Sequence, residues 1–424
     1  MTTIAPHVKP DIVKEYTDPK GTKVVHLRGR EIAIDIGNAE IKTIAGPEKS
    51  RYVIPNVLAQ MNFGNILERE KNIEDGIRIE VQSDGLNRSW GTMAFGKLAA
   101  EKKGKKELSF GSVKAKEDQT IIGATTAMAL DAVKKFPVET IHEEGETKKV
   151  CKAVYCVTAG LPIYEFKNDT PNYRKLFRER LMGVHVVRFG QVADPYDGVE
   201  VQILVYDVKL ASEGKAAHLE LTTDQYGRQS NQFEWAQNKY LLCDDGGGTF
   251  DVVPMRNGFP DNEAADGFDE GINQVLDQIN REIYKKFKDT FPSRKALADH
   301  LMDSRKHELD KTVAPYPLFD GKPKDIAEIV EQNLAAYAER IYDQMKEMWF
   351  PGCQAAAYVG GASGLIRPYL AKLNGGEGEN AEGFIIYFLP KQKSFWILAE
   401  AYYKIGRTLR KSSKKKVINL LPVA

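Results

Sequence analysis

Residues 244–253 read Asp-Asp-Gly-Gly-Gly-Thr-Phe-Asp-Val-Val and follow the apolar run 240–243. Three consecutive glycines weaken a strand hairpin, so they indicate that backbone N–H groups approach a ligand closely. An anion fits an amide-lined concavity best, yet Asp244 and Asp251 would repel a bare phosphate. A hydrated Mg²⁺ between carboxylate and phosphate resolves this conflict, because Mg²⁺ keeps most of its waters. The alternative for this stretch alone is a flexible glycine turn.

A related stretch lies 209 residues earlier. Asp35-Ile-Gly37 and Asp244-Asp-Gly246 each follow an apolar strand and precede a second one. The pair predicts a duplicated fold with a cleft between the copies, although two ordinary tight turns would also fit, since Asp-x-Gly is common. Lys42 lies seven residues after Asp35, on the predicted return strand, where its ammonium could reach β- and γ-phosphates. Taken alone, this lysine would be a surface residue.

A third glycine-rich stretch follows the buried strand predicted for residues 355–359. Gly360-Gly361-Ala-Ser363 leads into a short helix predicted for residues 365–373. Glycines at a strand-to-helix turn let a flat ring or a sugar pack against the backbone. An ordinary connection of this kind uses one glycine, and two in a row are less common.

No other motif for nucleotides or metals competes in the sequence. Residues 91–97 approach a phosphate loop, but Leu98 occupies the position that needs a hydroxyl. The seven histidines show no metal spacing, and Cys151 and Cys156 lie five apart on a predicted strand, facing opposite sides. We therefore expect no metal site made of protein ligands alone.

The amino-acid composition limits the classes of protein to which the chain can belong. The chain has 424 residues, 42% hydrophobic and 28% charged, with a net charge of +1 and four cysteines. These values predict two or three globular domains, exclude a disordered or fibrous chain, and give no overall attraction to nucleic acid. Few cysteines, no secretory signal and no apolar run long enough for a membrane span predict a soluble, cytoplasmic protein.

Predicted strands alternate with predicted helices along the chain, which favours an α/β architecture. Besides the strands named above, the patterns predict strands at 150–158 and 199–209. Helical spacing predicts helices over residues 118–136, 171–182, 268–288, 293–310, 324–349 and 394–410.

The three glycine-containing stretches, in this order, resemble the nucleotide-binding motifs of the actin, sugar kinase and heat-shock chaperone superfamily. Residues 35–42 look like its first phosphate motif, 244–251 its second and 359–364 its adenosine motif. A lysine seven residues after the first aspartate is similar to actin and to plasmid-segregation actins such as ParM. Segments 157–162, 210–217 and 399–406 also resemble the bacterial ParM-like group.

The resemblance implies an actin-like, duplicated ribonuclease-H-like fold with two domains around a central nucleotide cleft. Its implied divisions are an N-terminal extension (1–29), domain I (30–215) with an inserted subdomain at about 48–110, domain II (216–393), and a helix returning to domain I with a basic tail (394–424).

The resemblance also implies roles for single residues. Glu213 matches the position that orients or deprotonates the attacking water, although from the residues alone it is a helix N-terminal glutamate. Asp35 and Asp244 would hold Mg²⁺ through water. The nucleotide-binding residues it implies are Asp35, Gly37, Asn38, Ala39, Lys42, Gly246, Gly247, Gly248, Thr249, Gly360, Gly361 and Ser363.

Two positions depart from the family pattern. Asn38-Ala39 stands where actins carry Ser-Gly or Ser-Thr, so a hydroxyl contact to the γ-phosphate is missing or replaced. Asp245 is expected to place an extra carboxylate beside the phosphate site, where an apolar residue is usual.

The function implied by the resemblance is an ATPase that hydrolyses ATP, or GTP, with Mg²⁺ and polymerises into filaments. From the same resemblance we expect a role in plasmid DNA segregation through a DNA-binding adaptor protein. We expect no sequence-specific DNA binding by this chain and no membrane partner. A small-molecule kinase, a chaperone ATPase and a non-polymerising regulator are the alternatives. The basic segment 407–416 is either a solvated helix end or a contact for adaptor or DNA.

Overall fold

The structure, a computed structural model, describes residues 12–17, 23–27, 29–61, 70–108, 111–143, 146–261, 263–317 and 321–412. An antiparallel pair, β1 (Ile12–Thr17) and β2 (Lys23–Leu27), forms a small sheet of its own. The polar extension predicted for residues 1–29 therefore contains a strand pair.

The first large sheet spans the N-terminal half. Its strands in the described ranges are β3 (Arg30–Ile36), β4 (Glu40–Ala45), β5 (Ser50–Pro55), β6 (Val57–Gln60), β7 (Arg78–Ser83), β8 (Thr92–Phe95), β9 (Lys106–Glu107), β10 (Val138–Glu143), β11 (Glu146–Leu161), β12 (Gly183–Phe189) and β13 (Val199–Ser212). The order is β5-β4-β3-β11-β13-β12-β7-β8-β6-β9, and β10 pairs with β11. β11 runs parallel to both β3 and β13, whereas the other pairs are antiparallel.

Helices of this half are α1 (Lys97–Ala100), α2 (Asp118–Lys135), α3 (Ile163–Lys167), α4 (Tyr173–Leu181) and α5 (Glu213–Thr222). The sequence prediction for α2 is confirmed. This helix is buried around almost its whole circumference, because its alanines, threonines and Gly123 let neighbouring elements pack closely on every side. Its apolar residues join those of β3, β4, β11 and β13 in one core.

The second sheet belongs to the C-terminal half. In the described ranges it contains β14 (Tyr240–Asp245), β15 (Phe250–Arg256), β16 (Phe259–Pro260), β17 (Asp266–Phe268), β20 (Ala355–Val359) and β21 (Ile386–Phe388), while β18 (Tyr316–Pro317) and β19 (Pro323–Lys324) pair separately. The helices are α6 (Ile272–Phe287), α7 (Arg294–Asp303), α8 (Ala327–Glu347) and α9 (Ser363–Leu373), with 3₁₀ turns at Glu234–Gln237 and Gly378–Asn380.

The two sheets repeat one topology. The order β5-β4-β3-β11-β13 in the first corresponds to β16-β15-β14-β20-β21 in the second. In each, two antiparallel pairings are followed by two parallel pairings. The predicted α/β fold, duplicated about a central cleft, is therefore confirmed.

The last helix, α10 (Lys391–Ser412), returns from the second half to the first. It packs on β3, β4 and β11 as well as on α5. Tyr403 donates a hydrogen bond to the carbonyl of Gly46 (2.7 Å), and Lys404 lies 2.6 Å from Glu220 of α5. Among the helices of the described ranges, none is long and apolar enough to cross a membrane.

Several helices are shorter than their sequence patterns predict. α4 begins at Tyr173, because Asn172 caps it by accepting a hydrogen bond from the backbone N–H of Lys175 (2.9 Å). α6 begins at Ile272, since β17 uses the residues before it. α7 ends at Asp303, and Arg305 beyond it donates to the carbonyl of Leu365 (2.9 Å), which fixes the following loop against α9.

Candidate functional site

A cleft between the two halves of the molecule contains most of the residues that the sequence singled out. The cleft is open to solvent, and polar and apolar groups both line it. Its walls come from the β3–β4 hairpin, the segment before α2, the start of α3, the start of α5, the β14–β15 hairpin, the β20–α9 turn and α10.

The two hairpins in the cleft have the same backbone geometry. The N–H of Gly37 donates to the carbonyl of Glu40, and the N–H of Gly246 donates to that of Thr249, both at 3.0 Å. An asparagine stabilises each turn. The side-chain amide of Asn56 donates to the carbonyl of Gly37 (2.9 Å), and the backbone N–H of Asn273 donates to the carbonyl of Gly247 (2.9 Å). Such turns fix backbone amides at one place in the cleft.

Two glycines allow the backbones around the cleft to approach each other. A Cβ at Gly248 would lie 2.0 Å from the side-chain nitrogen of Asn38, so the second hairpin touches the first only because this position lacks a side chain. Gly360 has a φ of +100°, and a Cβ there would lie 2.2 Å from the carbonyl oxygen of Asp245. A side chain at Gly360 would therefore clash with the backbone of β14, and one at Gly248 would displace the side chain of Asn38.

Lys42 provides a cation at the first hairpin. Its Nζ lies 3.3 Å from Oδ2 of Asp35 and 4.6 Å from the ring centre of Phe395 on α10. The lysine and the aspartate are cross-strand partners on β4 and β3. The ammonium therefore faces the cleft from the return strand, as the spacing predicted.

Glu213 lies at the opposite wall and is paired with a buried lysine. It is the first residue of α5, whose N-cap Ser212 accepts from the backbone N–H of Lys215 (3.3 Å). Lys114 donates from Nζ to Oε1 of Glu213 at 2.6 Å. Burial lowers the pKa of Lys114, but the charges of Glu213 and Asp35 outweigh it and hold the pKa above its ordinary value. Lys114 is thus a charged ammonium within the cleft.

Glu165 holds the loop that carries Lys114. Its carboxylate accepts hydrogen bonds from the backbone N–H groups of Lys114 (2.9 Å) and Ala115 (3.2 Å). The side chain is fully buried, and this burial raises the pKa of Glu165. The loop before α2 is therefore anchored to α3 at the edge of the cleft.

Carboxylates outnumber cations in the cleft. Burial, together with Glu213, Asp251 and Asp35, raises the pKa of Asp244 well above its usual range. Burial and the charge of Glu213 raise the pKa of Asp251 to about 7. Oδ2 of Asp251 accepts from the Thr249 hydroxyl (3.0 Å), while its buried Oδ1 has no hydrogen-bond partner. This excess negative charge fits a site for a divalent cation.

The carboxylates of the cleft suit a hydrated cation. No group of three or more His, Cys, Asp or Glu side chains in the described ranges is placed to hold a metal ion directly. Mg²⁺ binds readily through its own water shell, so Asp35, Asp244 and Asp251 fit as acceptors of water ligands.

Thirteen of the fourteen residues to which the resemblance assigns a role line the cleft together. They are Asp35, Gly37, Asn38, Ala39, Lys42, Glu213, Asp244, Gly246, Gly247, Gly248, Thr249, Gly360 and Gly361. Ser363 is not among the lining residues: its buried hydroxyl lies 3.2 Å from that of Ser394, which itself donates to the carbonyl of Gly360 (3.0 Å). Ser394, and not Ser363, supplies the hydroxyl at this wall.

The expectation that Asp245 lies beside the phosphate site is wrong. Successive strand residues face opposite sides, so Asp244 faces the cleft and Asp245 faces the core of the second half. Asp245 is fully buried, and its carboxylate accepts hydrogen bonds from Tyr337 (2.7 Å) and Tyr358 (2.6 Å). Its polar group is satisfied there by two tyrosine hydroxyls.

Sequence reasoning missed several cleft residues. Lys114, Glu165, Ser394 and Phe395 all line it, and each is far in sequence from the glycine motifs. The segment 157–162, already noted for its resemblance, ends three residues before Glu165 and could have indicated it. Lys114 follows no recognisable motif, because its role depends on a contact across 99 positions of sequence.

This duplicated fold, with its two hairpins facing across one cleft, defines an actin-like protein. The model of the actin-like proteins N-terminal domain matches residues 33–215, and that of the Alp7A C-terminal domain matches residues 239–387. The two models together cover more than half of the chain, which therefore belongs to the actin-like protein family. No curated protein matches the chain in sequence.

Solved structures of the same fold are distant in sequence. ParM of Bacillus thuringiensis with AMPPNP is 18% identical, with a TM-score of 0.65, over 90% of this chain and 99% of that one. The actin-like protein Alp7A is 15% identical (TM-score 0.69, 91% and 97% covered). Ta0583, an archaeal actin homologue, is 17% identical (TM-score 0.59, 90% and 99% covered).

Proposed function

We propose that this chain is an actin-like ATPase that binds ATP with Mg²⁺ in the cleft, hydrolyses it, and forms nucleotide-dependent filaments for plasmid DNA segregation. The observation that carries the proposal is the pair of matched hairpins, one presenting Lys42 and the other Asp244 and Asp251, beside Glu213. Solved ParM structures of this fold with AMPPNP, ADP and ATP support the choice of nucleotide.

The hairpin amides and Lys42 would bind the phosphates. Residues 246–249 line the cleft, and β- and γ-phosphate oxygens would accept hydrogen bonds from backbone N–H groups of this turn. Lys42 would add charge from the opposite hairpin. Bound Mg²⁺ would neutralise charge that develops on the phosphates. Asp35 and Asp244, joined by Asp251, would hold its water shell.

Glu213 is the base that we assign to the attacking water. Its carboxylate would orient the water in line with the γ-phosphate and accept a proton from it. The 2.6 Å hydrogen bond from Lys114 fixes the position of the carboxylate. Lys114 is therefore a positioning residue in this scheme.

Filament formation is part of the proposal because of the resemblance to the ParM-like group. Closure of the two halves on ATP, and relaxation after hydrolysis, would change the surfaces offered to neighbouring subunits. Head-to-tail contacts that do not close into a ring generate filaments. A DNA-binding adaptor would link such filaments to plasmid DNA, so that direct sequence-specific binding by this chain is not required.

The experiment that tests the enzymatic part is phosphate release from Mg-ATP and Mg-GTP by wild type and by Glu213→Gln. The variant should lose hydrolysis and keep nucleotide affinity, whereas Lys215→Gln, an exposed change on the same helix, should behave as wild type. Binding without turnover in the wild type would favour a non-hydrolysing regulator. Turnover only with an added hydroxyl acceptor would favour a small-molecule kinase.

A further inference from the structure

Helix α7 of the second half forms ion pairs with the first half across the mouth of the cleft. Nη1 of Arg294 lies 3.1 Å from Oε2 of Glu107, and Nζ of Lys295 lies 3.1 Å from Oε1 of Glu40. Arg294 and Lys295 are the first two residues of α7, whose start is fixed by the N-cap Ser293. These pairs therefore join the two halves, and one of them uses Glu40 of the β3–β4 hairpin.

Each of these cations also has a carboxylate partner within its own half. Arg294 donates to both oxygens of Asp277 on α6, at 2.7 and 2.6 Å. Lys295 donates to Asp299, one turn further along α7, at 2.8 Å. Both cations are thus shared between a carboxylate of the first half and one of the second. Opening the cleft would leave neither cation without a partner.

The space beside these pairs is loosely packed. A cavity of about 860 Å³, open to solvent, lies between the two halves here, and its walls include Val57, Ala100, Pro292 and Ala296. The turn residues Asn38 and Ala39 also line it, so this cavity adjoins the phosphate site. The ion pairs of Arg294 and Lys295 thus cross between the two halves beside an open cavity.

Glu40 connects the ion pairs to the phosphate hairpin itself. Its backbone carbonyl accepts from the N–H of Gly37 to close the turn, while its side chain reaches Lys295. Glu107 lies on β9 and is held by pairing with Val57 on β6. A ligand that orders the turn of residues 37–40 would therefore also order the carboxylate that faces α7.

We propose that Arg294 and Lys295 form an inter-domain clasp that holds the cleft closed and sets the rate of nucleotide exchange. When the cleft opens, the two cations release the carboxylates of the first half and keep those of the second half. This inference rests on the proposed function, in that the exchanged ligand is a nucleotide. In the closed state the cations bridge to Glu107 and Glu40, and in the open state they retain Asp277 and Asp299.

Release of a fluorescent ATP analogue with Mg²⁺, chased with unlabelled ATP, tests the clasp. Glu107→Gln removes the inter-domain partner of Arg294, and Asp277→Asn is the matched control that removes its partner in the same half. Glu107→Gln should accelerate release about five-fold or more, and addition of Glu40→Gln should accelerate it further. Asp277→Asn should release at or below the wild-type rate, as should Asp299→Asn.

Equal release rates for Glu107→Gln, Asp277→Asn and wild type would overturn the clasp, as would equal acceleration by both variants. A wild-type protein that binds no nucleotide would instead contradict the proposed function. In that case the clasp can still be tested without nucleotide, by measuring the radius of gyration of the nucleotide-free proteins with small-angle X-ray scattering. Glu107→Gln with Glu40→Gln should increase the radius of gyration, while Asp277→Asn with Asp299→Asn should not, and the opposite pattern or no difference would refute the proposal.

Discussion

Lys42 and Asp251 occupy the same position in the two hairpins that face each other across the cleft. Each is the cross-strand partner of the aspartate that precedes its turn, Asp35 in one case and Asp244 in the other. The backbone is repeated, but the charge at this position is reversed. At this position the first hairpin therefore offers an ammonium that suits phosphate, and the second offers a carboxylate that suits a hydrated cation.

Lys42→Gln should weaken binding of Mg-ATP about 10- to 100-fold, because a charge-assisted hydrogen bond to phosphate is lost. Isothermal titration calorimetry gives the affinity directly. Lys215→Gln, an exposed change on α5, is the control and should bind normally. Unchanged affinity in Lys42→Gln would show that its ammonium does not contact the nucleotide.

Asp251→Asn should make nucleotide binding less dependent on Mg²⁺. Removal of this negative charge reduces repulsion of ATP when Mg²⁺ is absent, and it also removes one acceptor for the water shell when Mg²⁺ is present. Titration of ATP with and without EDTA measures the ratio of the two affinities. A ratio equal to that of the wild type would contradict the assignment of Asp251 to the cation side.

Lys114→Met should lower the free energy of unfolding by about 3–5 kcal/mol, because it leaves the buried carboxylate of Glu213 without its cation. Urea unfolding measures this loss. The double variant Lys114→Met with Glu213→Gln should recover part of the stability, since no unpaired charge remains. If the double variant is no more stable than Lys114→Met alone, the two residues are not energetically coupled.

Tyr358→Phe should cost about 1–3 kcal/mol of unfolding free energy, because one carboxylate oxygen of buried Asp245 loses its hydrogen bond. Tyr337→Phe should have a similar effect through the other oxygen. Tyr284→Phe is the control, since that side chain is 55% exposed. Wild-type stability in both core variants would show that Asp245 is satisfied in another way.

The free energy of unfolding should decrease at acid pH, because the buried side chain of His218 has a lowered pKa. Burial lowers the pKa of His218 to about 4, while its pKa in an unfolded chain is about 6.5. The unfolded chain therefore binds more protons between these values, so this contribution is complete above pH 6.5 and is lost as the pH falls towards 4. The full effect is about 3 kcal/mol. His218→Gln should flatten the dependence of unfolding free energy on pH, whereas exposed His307→Gln should not.

Local patterns were sufficient to predict much of the fold and most of the cleft. The offset of seven residues from Asp35 to Lys42 and from Asp244 to Asp251 lies within one hairpin, so strand pairing determines it. Alternation of side chains along β14 is also sufficient to predict that Asp245 faces the core, on the opposite side of the strand from Asp244.

Contacts between distant segments could not be predicted in the same way. Lys114 reaches Glu213 only after α5 and the loop before α2 have packed together, and Ser394 reaches Gly360 only because α10 returns across the cleft. The two carboxylate partners of Arg294 lie in different halves of the chain, so the ion pairs of α7 carry no signal in the sequence.

Sedimentation of the purified chain at high speed with Mg-ATP, Mg-ADP and no nucleotide tests the central claim most directly. The account predicts that the protein pellets with Mg-ATP and returns to the supernatant as phosphate is released, while Glu213→Gln stays in the pellet. A protein that hydrolyses ATP yet remains in the supernatant at high concentration under all three conditions would contradict the assignment as a filament-forming ATPase.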